Sequence, residues 1–130
     1  MKGGISKYVA DWFARGDDDL KTAETLLGEE GIPNVICFHT QQAGEKYLKG
    51  FLAHHEKHIR KIHDLDTLVN ACKDVDASFE SLRDATHCLA QFYVESRYPD
   101  DYIEFHRGDA EKAFDAALRI KAFVVEKLGN

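Results

Sequence analysis

The apolar residues of this chain recur at steps of three and four, not two. Val9, Trp12, Phe13, Leu20, Ala23, Leu26 and Leu27 keep that rhythm, which predicts a first helix over about Ser6 to Leu27. Asp17, Asp18 and Asp19 interrupt it; three consecutive acids cannot all face a core, and Leu20 restores the apolar face at once. Gly31 closes the segment. Pro33 opens the next one, in the first-turn position where its missing N–H costs nothing. From about Pro33 to His55, Val35, Ile36, Phe38, Thr40, Ala43, Tyr47, Leu48, Phe51 and Leu52 spread almost right round the helix, which predicts a central one. On a central helix the polar residues become informative. Gln41, Glu45 and Lys49 are spaced by four and line one stripe. Glu45 ahead of Lys49 is the favoured order for an intrahelical pair. The stripe reads either as a modest surface pair or, more sharply, as the border of a ligand groove.

The stretch from His55 to His63 reads as a helix end and a basic loop. Asp64 or Asp66 then caps a short third helix. A fourth is expected from about Ser78 to Glu95, with Phe79, Leu82, Ala85, Thr86, Leu89, Phe92 and Tyr93 on its apolar face. The corner Ser96-Arg97-Tyr98-Pro99-Asp100-Asp101 follows, because Pro99 pushes Tyr98 out of helical conformation. Ala110, Ala113, Phe114, Ala117, Ile120, Val124 and Leu128 mark a last helix over about Arg107 to Lys127. No window alternates with period two over a strand's length. The expected fold is all-α: an up-and-down four-helix bundle with a short additional helix, in a single domain covering residues 1–130.

Composition narrows the setting. Three cysteines, Cys37, Cys72 and Cys88, with no CxxC spacing, suit reduced thiols in a cytoplasmic protein. The N-terminal stretch has no apolar core of the signal-peptide kind, and no apolar run is long enough to span a membrane. A net charge of −6 argues against gripping a long nucleic acid. The charge is uneven, however. Lys46, Lys49, Lys57, Arg60 and Lys61 face only Glu56 between positions 46 and 63, alongside His54, His55, His58 and His63. That asymmetry suits a small phosphate-bearing ligand or the acidic face of a partner, and also an ordinary solvated helix end.

Several chemistries drop out on spacing. His55-Glu56-Lys57-His58 lacks the second histidine four residues on that a zinc-protease helix needs, so no metal is expected. The cysteines fall in or near apolar faces and read as small core residues. Neither a phosphate-binding loop nor a dinucleotide fingerprint occurs, so no cofactor is expected, and any nucleotide would be held by helix side chains. Arginine–histidine pairs remain, since metal-free RNA cleavage can use a cation to steady the phosphorane and a histidine to move a proton. Arg97 with His106 and Arg83 with His87 are the candidates, and either pair can equally be structural.

Four stretches in order carry a resemblance: Asp11-Trp12 with Asp19-Leu20-Lys21-Thr22-Ala23; Cys37 through Leu52, containing Gln41-Gln42-Ala43-Gly44-Glu45-Lys46-Tyr47-Leu48-Lys49; His63-Asp64-Leu65-Asp66-Thr67-Leu68; and Ser96-Arg97-Tyr98-Pro99-Asp100. Together they resemble the HEPN domain, the higher eukaryotes and prokaryotes nucleotide-binding domain, over about Tyr8 to Leu128. The resemblance implies the helical bundle, a homodimer, and a minimal nucleotidyltransferase partner in a toxin–antitoxin-like two-component system. Many HEPN proteins are metal-independent endoribonucleases whose motif is an arginine, four to six residues, then a histidine. Here Arg97 and His106 have eight residues between them, Arg83 and His87 three, Arg60 and His63 two.

The leading expectation is therefore a cytoplasmic HEPN protein that binds a nucleotide or another phosphate-bearing ligand. Lys46, Lys49 and Arg97 would contact phosphate, Gln41 and Glu45 would border the ligand, and Tyr98 and Tyr102 would stack on a base. One alternative is an endoribonuclease toxin acting on RNA through Arg97 and His106. The other is a non-catalytic interaction module whose basic stretch Lys57 to His63 meets an acidic partner.

Overall fold

Ser6 starts the first helix: its hydroxyl accepts from the backbone N–H of Val9 at 3.2 Å. In the computed structural model, which describes residues 4–59, 61–93 and 99–129, five α-helices follow one another. They are α1 (Lys7–Gly28), α2 (Pro33–His54), α3 (Leu65–Val75), α4 (Arg83–Ala90) and α5 (Arg107–Gly129). Two 3-10 turns, Ala77–Leu82 and Pro99–Asp101, complete the path, and no strand occurs among the described residues.

Helix α2 is the hub, packed against α1, α3, α4 and α5. It runs antiparallel to α1, so that Phe13 meets Gly50, Gly16 meets Tyr47, and Asp19 meets Lys46. Two glycines make the hub possible. A Cβ on Gly50 would sit 2.7 Å from the Phe13 ring, and one on Gly44 would sit 2.8 Å from Leu89 and 3.3 Å from Ile120. Glycine lets α1 and α4 approach closely at those points. The core fills around them with Tyr47, Leu48, Phe51, Leu68, Phe79, Leu82, Leu89 and Ile120, all buried.

The expected bounds of α1, α2 and α5 match the observed helices to within two residues. Asp64, not Asp66, caps α3: its carboxylate accepts from the Thr67 N–H at 3.2 Å and the Thr67 hydroxyl at 2.6 Å. The fourth helix departs from expectation at both ends. Its start is a 3-10 turn, set by Asp76 accepting from the Ser78 N–H at 2.9 Å. Its end comes at Ala90, not Glu95. There the backbone tightens, with Phe92 N–H donating to Leu89 and Tyr93 N–H to Ala90. The tightening turns Phe92 into the core, edge-on to Phe105 with centroids 4.8 Å apart, and lays Tyr93 against His63. The first part of the proline corner, Ser96-Arg97-Tyr98, lies outside the described residues.

Candidate functional site

The polar stripe of α2 is neither a surface pair nor open to solvent. Gln41, Glu45 and Lys49 are only 0 %, 5 % and 5 % exposed. Being central, α2 has no solvent side at these positions, so the stripe must satisfy itself inside the protein. Glu45 does this by gathering three partners. Lys49 Nζ lies 2.8 Å from one carboxylate oxygen and His63 Nδ1 2.8 Å from the same oxygen, while Gln41 Nε2 donates to the other at 3.4 Å. Behind the pair, the Lys49 ammonium sits 5.6 Å from the Trp12 ring centroid. Gln41 in turn accepts from Gln42 at 2.8 Å.

His63 comes from the basic loop between α2 and α3. A carboxylate at Nδ1 fixes the proton there and leaves Nε2 as the outward-facing nitrogen. Among the described residues Nε2 has no hydrogen-bond partner. The imidazole lies nearly parallel to Tyr93, 5.5 Å between centroids and 15° between planes. Beside it opens a cavity of about 140 Å³ lined by Gln41, His63, Asp64, Leu65, Ala90 and Tyr93. Lys57 and Lys61, both exposed, belong to the same loop. A neutral His63 can accept a proton or hydrogen bond at Nε2; a charged one can donate to an anion.

The remaining predicted residues divide. Lys46 is held by Asp19 at 2.5 Å, and the same carboxylate takes His39 Nδ1 at 2.8 Å. Tyr102 lines a different, larger cavity of about 420 Å³ with Asn34, Val35, Phe38, Phe92, Ile103 and Phe105. His106 starts α5, its backbone N–H donating to Asp109 at 2.9 Å, and is exposed. Arg97 and Tyr98 lie outside the described residues. Arg83 and His87 do meet, on a shared Asp66 oxygen at 3.0 and 3.1 Å, but Arg83 is also bound by Glu80 and Asn70 in a structural network. The structure thus brings Gln41, Glu45 and Lys49 together and keeps Lys46, Tyr102 and His106 apart from them.

Burial pushes the thiols of Cys37 and Cys72 up to about 12, so neither ionises near neutrality. Burial also raises the Tyr47 hydroxyl, helped by its 2.6 Å bond to Asp17. Among the described residues no group of three or more His, Cys, Asp or Glu is placed to hold a metal ion. No described helix is long and apolar enough to cross a membrane.

Sequence reasoning missed His63 and Tyr93 as a pair. Their one signal is a histidine directly ahead of the Asp64 cap, in a loop that returns to the polar stripe.

A helical bundle with a polar cluster buried on its central helix is the class of protein this arrangement defines. The HEPN domain family model matches residues 9–128, and the chain belongs to the HEPN domain family. It is similar to TT1696 from Thermus thermophilus, with 34 % identity over 95 % of this chain and 100 % of that one and a TM-score of 0.79. It is also similar to ST0689, an archaeal HEPN homologue, at 26 % identity over 92 % and 97 % of the two chains and a TM-score of 0.73. No curated protein sequence matches.

Proposed function

We propose that this HEPN protein binds a nucleotide through its phosphate at His63, and that it works in the cytoplasm with a minimal nucleotidyltransferase as a two-component system. The observation that supports the binding reading is the His63 arrangement: an imidazole held at Nδ1 by a buried carboxylate, on a ring that lines a small cavity. Ligand pockets for whole small molecules run from about 300 Å³ upwards. A space of about 140 Å³ suits a phosphate or a single ring, with the rest of the ligand outside. Lys57 and Lys61 in the same loop favour a phosphate, set against the Asp64 carboxylate among the cavity's own lining residues. In this reading Lys49 acts on the ligand only through Glu45 and His63, and Lys46 stays with Asp19. Arg97 and Tyr98, four and five residues after Tyr93, enter from the sequence as a second phosphate contact and a base-stacking ring.

Calorimetry with purine mononucleotides tests the binding. Saturable heat is expected, weakened about tenfold by His63→Asn through loss of a charged hydrogen bond; no heat at millimolar nucleotide overturns the reading. The partner and the homodimer come from the family resemblance. Co-expression with a small nucleotidyltransferase encoded beside this gene is expected to yield one complex on gel filtration, and separate elution would remove the partner from the account.

A further inference from the structure

Helices α1 and α5 run antiparallel: Ala10 shares a hollow with Leu128, Asp17 pairs with Lys121, and Glu24 shares a second hollow with Phe114. Helix α1 packs far more closely on α2 than on α5, so the seam stays open. Asp17 and Lys121 bridge it at 3.0 Å and line the hollows on both sides. On one side the hollow holds about 460 Å³, with Ala10, Phe13 and Ala14 from α1 and Val125 and Leu128 from α5. Among its described lining residues only Asp17 and Lys121 carry polar side chains. On the other side the lining turns polar, with Lys21 and Glu24 beside Phe114 and Leu118. Neither hollow shares a residue with the His63 cavity.

Asp17 is held from inside the protein. Tyr47, wholly buried, donates its hydroxyl to Asp17 Oδ1 at 2.6 Å. Gly16 makes room for that reach, since a Cβ there would stand 2.8 Å from the tyrosine ring. Lys121 Nζ lies against the same Oδ1, and Oδ2 takes no hydrogen bond among the described residues. The core thus fixes a carboxylate beside an apolar hollow. A few fixed polar groups in an apolar hollow of this size suit a small molecule.

The same arrangement narrows the occupant. The apolar stretch from Ala10 to Asp17 is only about 10 Å of helix, and the ion pair closes it, so a docked helix following the seam would run into charge. An anionic ligand would meet Asp17, and a cationic one Lys121. A neutral ring with one donor suits both: its O–H or N–H donates to the carboxylate, its face takes the ammonium, and its body covers the apolar walls. We infer that this hollow binds a compact, neutral aromatic molecule carrying a phenol- or indole-like donor.

Titration of 2-naphthol into nitrogen-labelled full-length chain, followed by NMR, tests this. Naphthalene is the ring without a donor, and 2-naphthoate is the anion. Saturable one-to-one binding of 2-naphthol is expected, with shifts at Ala10, Ala14 and Val125 and none at His63. Naphthalene should bind about tenfold more weakly, for want of a hydrogen bond to a charged group, and 2-naphthoate more weakly than 2-naphthol. Asp17→Asn should reverse that last order, because Lys121 is then unpaired. Ala10→Phe, at an exposed lining position, fills the hollow and should weaken 2-naphthol at least about tenfold. Circular dichroism confirms that each variant is folded. Four results overturn the inference: no saturable binding of 2-naphthol, naphthalene bound as tightly as 2-naphthol, binding indifferent to Ala10→Phe, or a wild-type dimer that Ala10→Phe splits into monomers, which would give the hollow to a second copy.

Discussion

At the scale of single residues, the decisive feature is a carboxylate inside the bundle. Taking Glu45 and Lys49 out of water costs several kcal/mol per ion, and their mutual attraction only partly offsets it. Such a pair is a poor device for stability alone. Its geometry holds something else in place, the His63 ring. Removing one partner leaves the other buried without a counter-charge. Lys49→Ala is therefore expected to lower unfolding free energy by about 3–5 kcal/mol in urea titrations, whereas Glu45→Leu with Lys49→Met should recover most of it. An effect below about 1 kcal/mol for the single change would mean that the pair is not dry. The stripe itself was legible in the sequence, because Gln41, Glu45 and Lys49 repeat every four residues. Its depth was not. Periodicity places residues on one face of a helix, and only tertiary packing decides whether that face meets water. His63 was harder still, since it reaches Glu45 across 18 positions from a loop with no periodic pattern.

Among the elements, the three long helices were legible because each repeats its apolar pattern over many turns. The fourth is shorter than its pattern, because Phe92 and Tyr93 continue the apolar rhythm past the point where the helix stops. Both rings pack after the chain has left the helix, so apolarity persists while geometry changes. Helix α3 hangs on its cap, and Asp64→Ala should cost about 1 kcal/mol in thermal or urea unfolding. The junction from α3 to α5 is tied by carboxylates. Glu80, bound by Arg83 and Lys73, and Asp76, bound by Ser78 and Lys127, both sit at about 2, below ordinary values of 4.5 and 3.8. As pH falls, the unfolded chain takes up these protons first. Their contribution to stability is then full above pH 4.5 and lost between about 4.5 and 2. Melting temperature against pH should fall through that window, and the fall should be shallower in Glu80→Gln. An equal slope in the variant would show that other groups govern acid unfolding.

For the whole molecule, two cavities meet at one step of the chain, Phe92 lining one and Tyr93 the other. The first is an apolar hollow at the start of α2, and the second lies beside His63 and the basic loop. The bundle keeps Tyr102 and His106 away from the buried stripe, although sequence order alone allowed all of them to converge. The family was legible because four motifs in order span nearly the whole chain; the site was not, because its parts meet only through the fold. The most direct measurement follows the histidine rings by NMR in histidine-labelled protein as AMP is added, with adenosine as the control. His63 signals are expected to shift saturably with AMP and not with adenosine, while His54, His58 and His106 stay in place. A response centred on another histidine, or none at millimolar AMP, would contradict phosphate binding at His63.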